Sequence, residues 1–159
     1  MAGRALHVAL LISCLFLRCI LGAPTSDIET RAAQLVEGVH LLNCAFEGEP
    51  RLISLVVDCT NDFDCSDPAY QPDGNSVCVK HTTTWYEDWY QWEGGNKSCT
   101  FASGITFSWE IPLDAQSNPD YTGIGRGWNG RRNFGGYKDN HRRTFSWRSH
   151  TCVKIYYYV

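Results

Sequence analysis

The chain has 159 residues, of which 43% are hydrophobic and 13% aromatic, and its formal net charge at pH 7 is −3. This length and composition predict one globular domain with a sizeable core, and they exclude a repeat or low-complexity protein. The charge is unevenly divided, because residues 27–120 carry 16 acidic and 4 basic side chains whereas residues 121–159 carry 8 basic and 1 acidic. That asymmetry indicates either an anionic partner for the basic end or an acidic half that folds against it.

The N-terminus has the layout of a secretory signal peptide. Arg4 precedes the apolar run 8–17, and the small residues Gly22 and Ala23 follow. We therefore expect residues 1–22 to be a signal peptide, residues 23–38 an N-terminal extension or short helix, and residues 39–159 a single domain. No later segment is apolar enough to insert into a membrane, so we predict a secreted, extracellular and monomeric protein.

Six cysteines lie outside the predicted signal peptide. An even number of cysteines in an oxidising compartment predicts that all of them pair, which gives three disulfides. These cysteines lack a C-x-x-C pair, and no two histidines lie at ligand spacing, so we predict no metal site among them and no cofactor. Many pairings are open. Loop lengths favour bridges from Cys65 to Cys78, from Cys99 to Cys152 and from Cys44 to Cys59.

Hydrophobic patterns along the chain predict a mainly β protein. A hairpin is expected over residues 39–46 and 52–58, then a polar loop over 59–75 and further strands over 77–83, 99–102, 105–111, 144–147 and 151–159. The Gly- and Pro-rich stretches 112–121 and 123–140 indicate loops. The fold class is thus a small antiparallel β domain, sandwich or barrel-like, stapled by disulfides and carrying up to two short helices.

Residues 84–93 fit two patterns. A capping-box pair followed by two glycines favours a helical turn, and a strand is the alternative. The helical turn places Trp85, Trp89 and Trp92 on one face, as a candidate aromatic platform for sugar rings; core packing is the competing interpretation.

Several runs resemble a group of small secreted proteins of filamentous fungi. They are NC at 43–44, DCTNDFDC at 58–65, WEGG at 92–95, CTF at 99–101, TFSWEI at 106–111, Phe134 with YKD at 137–139, and Cys152 ahead of IYY at 155–157. The resemblance implies an effector-type protein without an established activity. Similar proteins carry two further cysteines where this chain has Gly136 and Tyr158, and their joint absence implies that the two pair with each other.

The basic C-terminal segment is a candidate site for an anion. Guanidinium groups bind phosphates bidentately and interleaved aromatic rings stack on bases, which suits RNA or another polyanion. The alternative is a solvated surface that pairs with the chain's own acids. The candidate residues are Arg126, Arg131, Arg132, Lys138, Arg142, Arg143 and Arg148.

A second set of residues has the parts of a ribonuclease. Glu110 and His150 would be base and acid, Arg126 would hold the phosphate, and His81 would assist. Secreted guanyl-preferring microbial ribonucleases use a similar His-Glu-Arg-His set, but the spacings here match it poorly. Because alternation places Phe107 and Trp109 on the core side of their strand, Glu110 should face an open polar side.

Two weaker motifs remain. Asp62, Asp64, Ser66 and Asp73 fall at positions of a calcium loop, although the glycine that such a loop needs is missing. Asn96 begins an N-glycosylation sequon, which predicts a surface position. The sequence therefore favours a secreted non-catalytic binding or effector-type glycoprotein acting on an unknown host or cell-surface partner, with a ribonuclease and a glycan-binding module as alternatives.

Overall fold

A computed structural model describes residues 36–46, 48, 50–85 and 87–159, with the side chains of Arg143 and Thr144 left out. The predicted signal peptide and nearly all of the N-terminal extension or short helix expected over 23–38 lie outside these residues. Within the described part of the chain, no helix is both long and apolar enough to cross a membrane.

The predicted fold class is confirmed. The described residues form an antiparallel sheet with two single-turn 3₁₀ helices at Asp64–Ser66 and Ala115–Ser117. The strands are β1 (Gly38–Phe46), β2 (Leu52–Cys59), β3 (Val77–Thr83), β4 (Asn96–Thr100), β5 (Thr106–Glu110), β6 (Gly123–Trp128), β7 (Asn133–Lys138), β8 (Arg143–Trp147) and β9 (His150–Tyr158).

The sheet curls into a nearly closed, barrel-like shape. Its strands follow the order β3-β2-β1-β9-β7-β6-β5-β4, and β8 pairs with the first part of β9. The two end strands, β3 and β4, are joined by the Cys78–Cys99 disulfide and by a 2.8 Å hydrogen bond from Lys80 Nζ to the Ser98 carbonyl. A covalent bridge thus closes the seam where a strand ladder is missing.

One half of this sheet is buried on both faces. The apolar runs of β1 and β2 turn Leu41 and Val56 towards the inside of the sheet, and they turn Leu42 and Leu55 towards an outer core. β8 and the segment between β2 and β3 cover that outer core. We call β1, β2 and β9 with this cover the covered half.

The other half, β4 to β7, alternates between buried and exposed residues. Phe107, Trp109 and Ile111 are buried as predicted, and the stacked rings of Phe107 and Trp109 fill the inside of the sheet. Glycines make room for these aromatic residues, because a Cβ on Gly127 would lie 2.3 Å from the ring of Phe107. The stretch 123–140 is therefore two strands, β6 and β7, and not the predicted loop.

The predicted disulfide pairing is wrong, although the number of bridges is confirmed. The bridges are Cys44–Cys152, Cys59–Cys65 and Cys78–Cys99. Cys44 and Cys152 are direct cross-strand partners in β1 and β9. Loop length alone could not reveal this pairing, because it depends on which strands become neighbours. Three disulfides form in an oxidising compartment.

Two further predictions concern local structure. Residues 84–95 have no helical turn in their described part, so the helix that would align Trp85, Trp89 and Trp92 is wrong. Gly136 and Tyr158, the places of the two additional cysteines in the resembling proteins, are cross-strand partners in β7 and β9.

Candidate functional site

The outer surface of β4, β5 and β6 brings polar side chains into register. Asn96, Glu110 and Arg126 form one row across the three strands, since Asn96 pairs with Glu110 and Glu110 pairs with Arg126. A second row contains Ser108 and Trp128. With Asn133, the partner of Trp128 in β7, these residues make up what we call the open face.

A bulge in β6 sets the direction of Arg126. The pairing of β6 with β7 shifts between Gly123 and Gly125, so Gly125 and Arg126 both face outward while Ile124 and Gly127 are buried. Gly125 has φ +157°, and a Cβ there would lie 2.1 Å from the Glu110 carbonyl oxygen. Only glycine fits this close approach, and the bulge leaves Arg126 exposed directly opposite Glu110 in the strand pairing.

Two shallow clefts meet at Glu110 and Arg126. A cleft of about 290 Å³ extends along the open face towards Asn96, Trp128 and Asn133. A cleft of about 430 Å³ extends the other way, and its more apolar walls include Gly94, Ile111, Pro112 and Leu113. One charged pair therefore lies between a polar and an apolar depression.

The side chains of the open face have no polar partner among the residues that the structure describes. Among the described residues, none of the six makes a side-chain hydrogen bond or an ion pair, although Glu110 and Arg126 are direct neighbours. Arg126 offers a planar fork of donors, Glu110 offers acceptors, and Trp128, 43% exposed, offers an apolar ring. The arrangement can bind an oxygen-rich ligand or a polar protein surface.

Polar groups in the covered half differ in this respect. The fully buried His40 shares a 2.6 Å hydrogen bond between its Nε2 and Asp62 Oδ1, and Lys154 Nζ bonds Ser66 Oγ at 3.2 Å. Burial lowers the pKa of His40, against the opposing effect of its hydrogen bond to Asp62. These groups are held by hydrogen bonds inside the structure rather than presented on its surface.

The structure assembles only half of the ribonuclease set. Glu110 and Arg126 are adjacent, with Glu110 on the polar side as predicted. His81 lies on β3, 3.4 Å from Asp88 through its Nε2. His150 is buried, and its Nδ1 lies 3.0 Å from the Arg148 carbonyl oxygen.

His150 is far from the open face along the sheet. It begins β9, whereas Arg126 is level with Gly135, which bonds Val159 just beyond the other end of β9. The intervening stretch of β9 is roughly 30 Å long at about 3.3 Å per residue. His150 is therefore not placed to act on a phosphate held by Arg126.

The basic segment is spread over the molecule. Arg132 lies 3.7 Å from Glu37, and Lys138 lies 3.4 Å from Asp120, so part of the segment pairs with the chain's own acids. Arg148 stacks on Trp147 in the covered half. Arg131 lies in the turn between β6 and β7, and Arg142 lies just before β8.

The predicted tryptophan platform is not formed. Trp85 is 76% exposed, Trp89 is partly buried, and Trp92 is 2% exposed, with its Nε1 donating to Asn43 Oδ1 at 3.1 Å. The exposed ring on the open face is Trp128, which sequence reasoning missed. It follows the β6 bulge, so simple alternation did not reveal its direction.

The aspartates of the predicted calcium loop do not share a common site. Asp62 is bonded to His40, and Asp73 Oδ1 accepts the backbone N–H groups of Asn75 and Ser76. Asp64 begins a 3₁₀ helix. The described residues contain no metal-ligand cluster that includes these three aspartates. Asn96, in contrast, is exposed at the start of β4, as its sequon predicts.

Compared with protein-family models, with curated proteins and with solved structures, the chain matches none. The case for a site on the open face therefore rests on its geometry.

Proposed function

We propose that this protein is a secreted, non-catalytic binding protein of the effector type, and that the open face recognises a host or cell-surface partner. The observation that carries the proposal is the Glu110–Arg126 pair, whose residues are direct cross-strand neighbours beside the Gly125 bulge and whose side chains have no hydrogen bond or ion pair with any described residue. A buried polar group is normally paired, and exposed polar groups presented together on rigid strands are a means of recognition.

The surrounding structure supports a binding role. β4, β5 and β6 are held from beneath by large buried rings, so the open face is presented with little conformational freedom to lose on binding. Arg and Trp are also the residue types that dominate interface energies. The three disulfides suit a protein that folds in an oxidising compartment, as secreted proteins do.

A glycan is the second candidate partner, and Trp128 favours it. A half-exposed indole flanked by Ser108 and Asn133 offers an apolar ring for the face of a sugar, and their hydroxyl and amide groups can bond its hydroxyls. This candidate differs from the sequence-based hypothesis in its residues, because the cluster around Trp92 is partly buried.

Ribonuclease activity is less well supported. Cleavage needs a base and an acid on opposite sides of one phosphate. Arg126 and Glu110 supply a cation and a carboxylate, but the described histidines do not approach them. Incubation of the protein with total RNA should give no cleavage beyond background.

The proposal is tested by incubating the fluorescently labelled mature chain with intact eukaryotic cells and with an immobilised panel of neutral and acidic oligosaccharides. We expect saturable binding to cells that Trp128→Ala weakens by at least tenfold. Trp85→Ala is the matched control, because it removes another exposed indole outside the open face and should leave binding unchanged. Equal losses in the two variants, or no saturable binding to either probe, would contradict the proposal.

A further inference from the structure

Beyond the open face, the covered half contains a cluster of metal-ligand chemistry. His40 on β1 lies beside the Cys59–Cys65 disulfide, and one ligand atom from each residue lies within 4.8 Å of the other two. All three side chains are buried, with exposed fractions of 0 to 1%. Among the described residues, this is the one place where at least three potential metal-ligand side chains lie this close together.

His40 is held in the manner of a metal ligand. Its Nε2 is bonded to Asp62 Oδ1 at 2.6 Å, while its Nδ1 is buried and has no hydrogen-bond partner. A buried nitrogen without a hydrogen-bond partner is destabilising, so its retention needs an explanation. A carboxylate on one ring nitrogen is the usual way of orienting a histidine whose other nitrogen binds a metal.

We propose that the Cys59–Cys65 disulfide, once reduced, becomes a zinc site with two thiolates and His40 Nδ1 as ligands. A dithiol reductant supplies two electrons, the S–S bond breaks, and the reductant leaves as its own disulfide. Each thiol then loses its proton as Zn²⁺ binds. Two thiolates and an imidazole are ligands that zinc prefers, and Asp62 orients the imidazole.

The cluster also explains why this bridge differs from the other two. Cys44–Cys152 and Cys78–Cys99 join neighbouring strands or close the seam, so they hold the sheet itself. Cys59–Cys65 spans only six positions in sequence. Its reduction opens a short segment that Asp62 still attaches to His40.

Cobalt provides the test, because a thiolate–cobalt bond has a charge-transfer absorption band and zinc displaces cobalt from such sites. The full mature chain is titrated with a phosphine reductant until peptide mapping shows Cys59 and Cys65 as thiols, with circular dichroism following the fold. We expect the oxidised chain to bind no Co²⁺. The reduced chain should bind one equivalent with a thiolate–cobalt band, which one equivalent of Zn²⁺ removes.

Matched variants separate this site from metal binding by any free thiol. Cys59→Ser/Cys65→Ser should abolish the band, and Cys78→Ser/Cys99→Ser should keep it. Asp62→Asn should weaken affinity about 10–100-fold, and so should His40→Gln. His150→Gln is the control for these two, because His150 is also buried with a ring nitrogen that lacks a partner.

Several outcomes would overturn the proposal. They are absence of the band in the reduced chain, persistence of the band in Cys59→Ser/Cys65→Ser, and unfolding of the chain before Cys59 and Cys65 can be reduced. If His40→Gln does not fold, Asp62→Asn decides. An unchanged metal affinity in Asp62→Asn would then contradict the assignment of His40 as a ligand oriented by Asp62.

Discussion

The covered and open halves of this sheet share antiparallel strand pairing but differ in how many of their faces are buried. In the covered half, β1, β2 and β9 have few exposed positions, because side chains on both faces reach a core. In the open half, β4, β5 and β6 bury one face and leave the other to solvent. The difference lies in the cover, since β8 and the segment after β2 lie over one half of the sheet.

The two halves also treat polar groups differently. The side chains of Asn43 and Ser54 bond each other at 3.0 Å, and that of His40 bonds Asp62. The side chains of Glu110 and Arg126, in contrast, form no hydrogen bond or ion pair with a described residue. Groups that are tied into a core stabilise one conformation. Groups held in place but unengaged are free to bind, so the open half has the means for recognition and the covered half supplies the support.

The largest expected effect comes from the outer core. Leu42→Ala removes a fully buried side chain under the cover, and the free energy of unfolding should fall by about 2–5 kcal/mol. Ser108→Ala, at an outward position of the open half, should change it by less than about 0.5 kcal/mol. Chemical denaturation measures both. A small effect of Leu42→Ala would mean that the cover is loose.

The next effect concerns the bulge. Gly125→Ala places a methyl group against the Glu110 carbonyl and should cost about 1–3 kcal/mol, with loss of cell binding as Arg126 moves. Gly123→Ala is the matched control, because its Cβ would lie 3.9 Å from its nearest neighbour, an ordinary contact. Denaturation and cell binding give the two readouts. Unchanged cell binding by Gly125→Ala would show that the bulge is not needed for recognition.

A smaller effect depends on pH. Burial and then the charge of Glu37 raise the pKa of Asp58 from 3.8 to about 6, so the folded chain holds this proton more tightly than the unfolded chain. The resulting stability is complete at low pH and is lost as the pH rises from about 4 to about 6. In Asp58→Asn, the free energy of unfolding should fall less between pH 4 and 7 than in the wild type.

Denaturation at a series of pH values tests this prediction. Glu37→Gln should reduce the pH dependence less than Asp58→Asn does, because burial is the larger cause of the shift. Identical pH profiles for the wild type and Asp58→Asn would contradict the assignment.

The smallest effect is expected in the basic turn. Arg132→Gln breaks a partly exposed pair with Glu37 and should lower the free energy of unfolding by about 0–1 kcal/mol. Arg131→Gln, next to it, removes a charge without a side-chain ion pair in the described structure and should change less. Thermal unfolding compares the two variants. A larger loss of stability in Arg131→Gln than in Arg132→Gln would contradict the pairing of Arg132 with Glu37.

Local pattern predicted the β class and the direction of Glu110, because alternation around Phe107 and Trp109 is a local property. It could not predict β6 and β7, since their glycines have low strand propensity and are needed only because aromatic rings from other strands fill the space beneath them. The disulfide pairing was predicted wrongly and the exposure of Trp128 was not predicted, for related reasons. Both depend on strand order and on a bulge that only the folded sheet contains.

The central claim is that the Glu110–Arg126 pair recognises the partner. The most direct test measures the Kd of the labelled chain for intact cells in Glu110→Gln/Arg126→Gln and in Glu87→Gln/Arg148→Gln. Each double variant removes one exposed acid and one exposed base, so net charge is unchanged. We predict at least a tenfold higher Kd for the first and an unchanged Kd for the second. An unchanged Kd in the first, or equal losses in both, would contradict the claim.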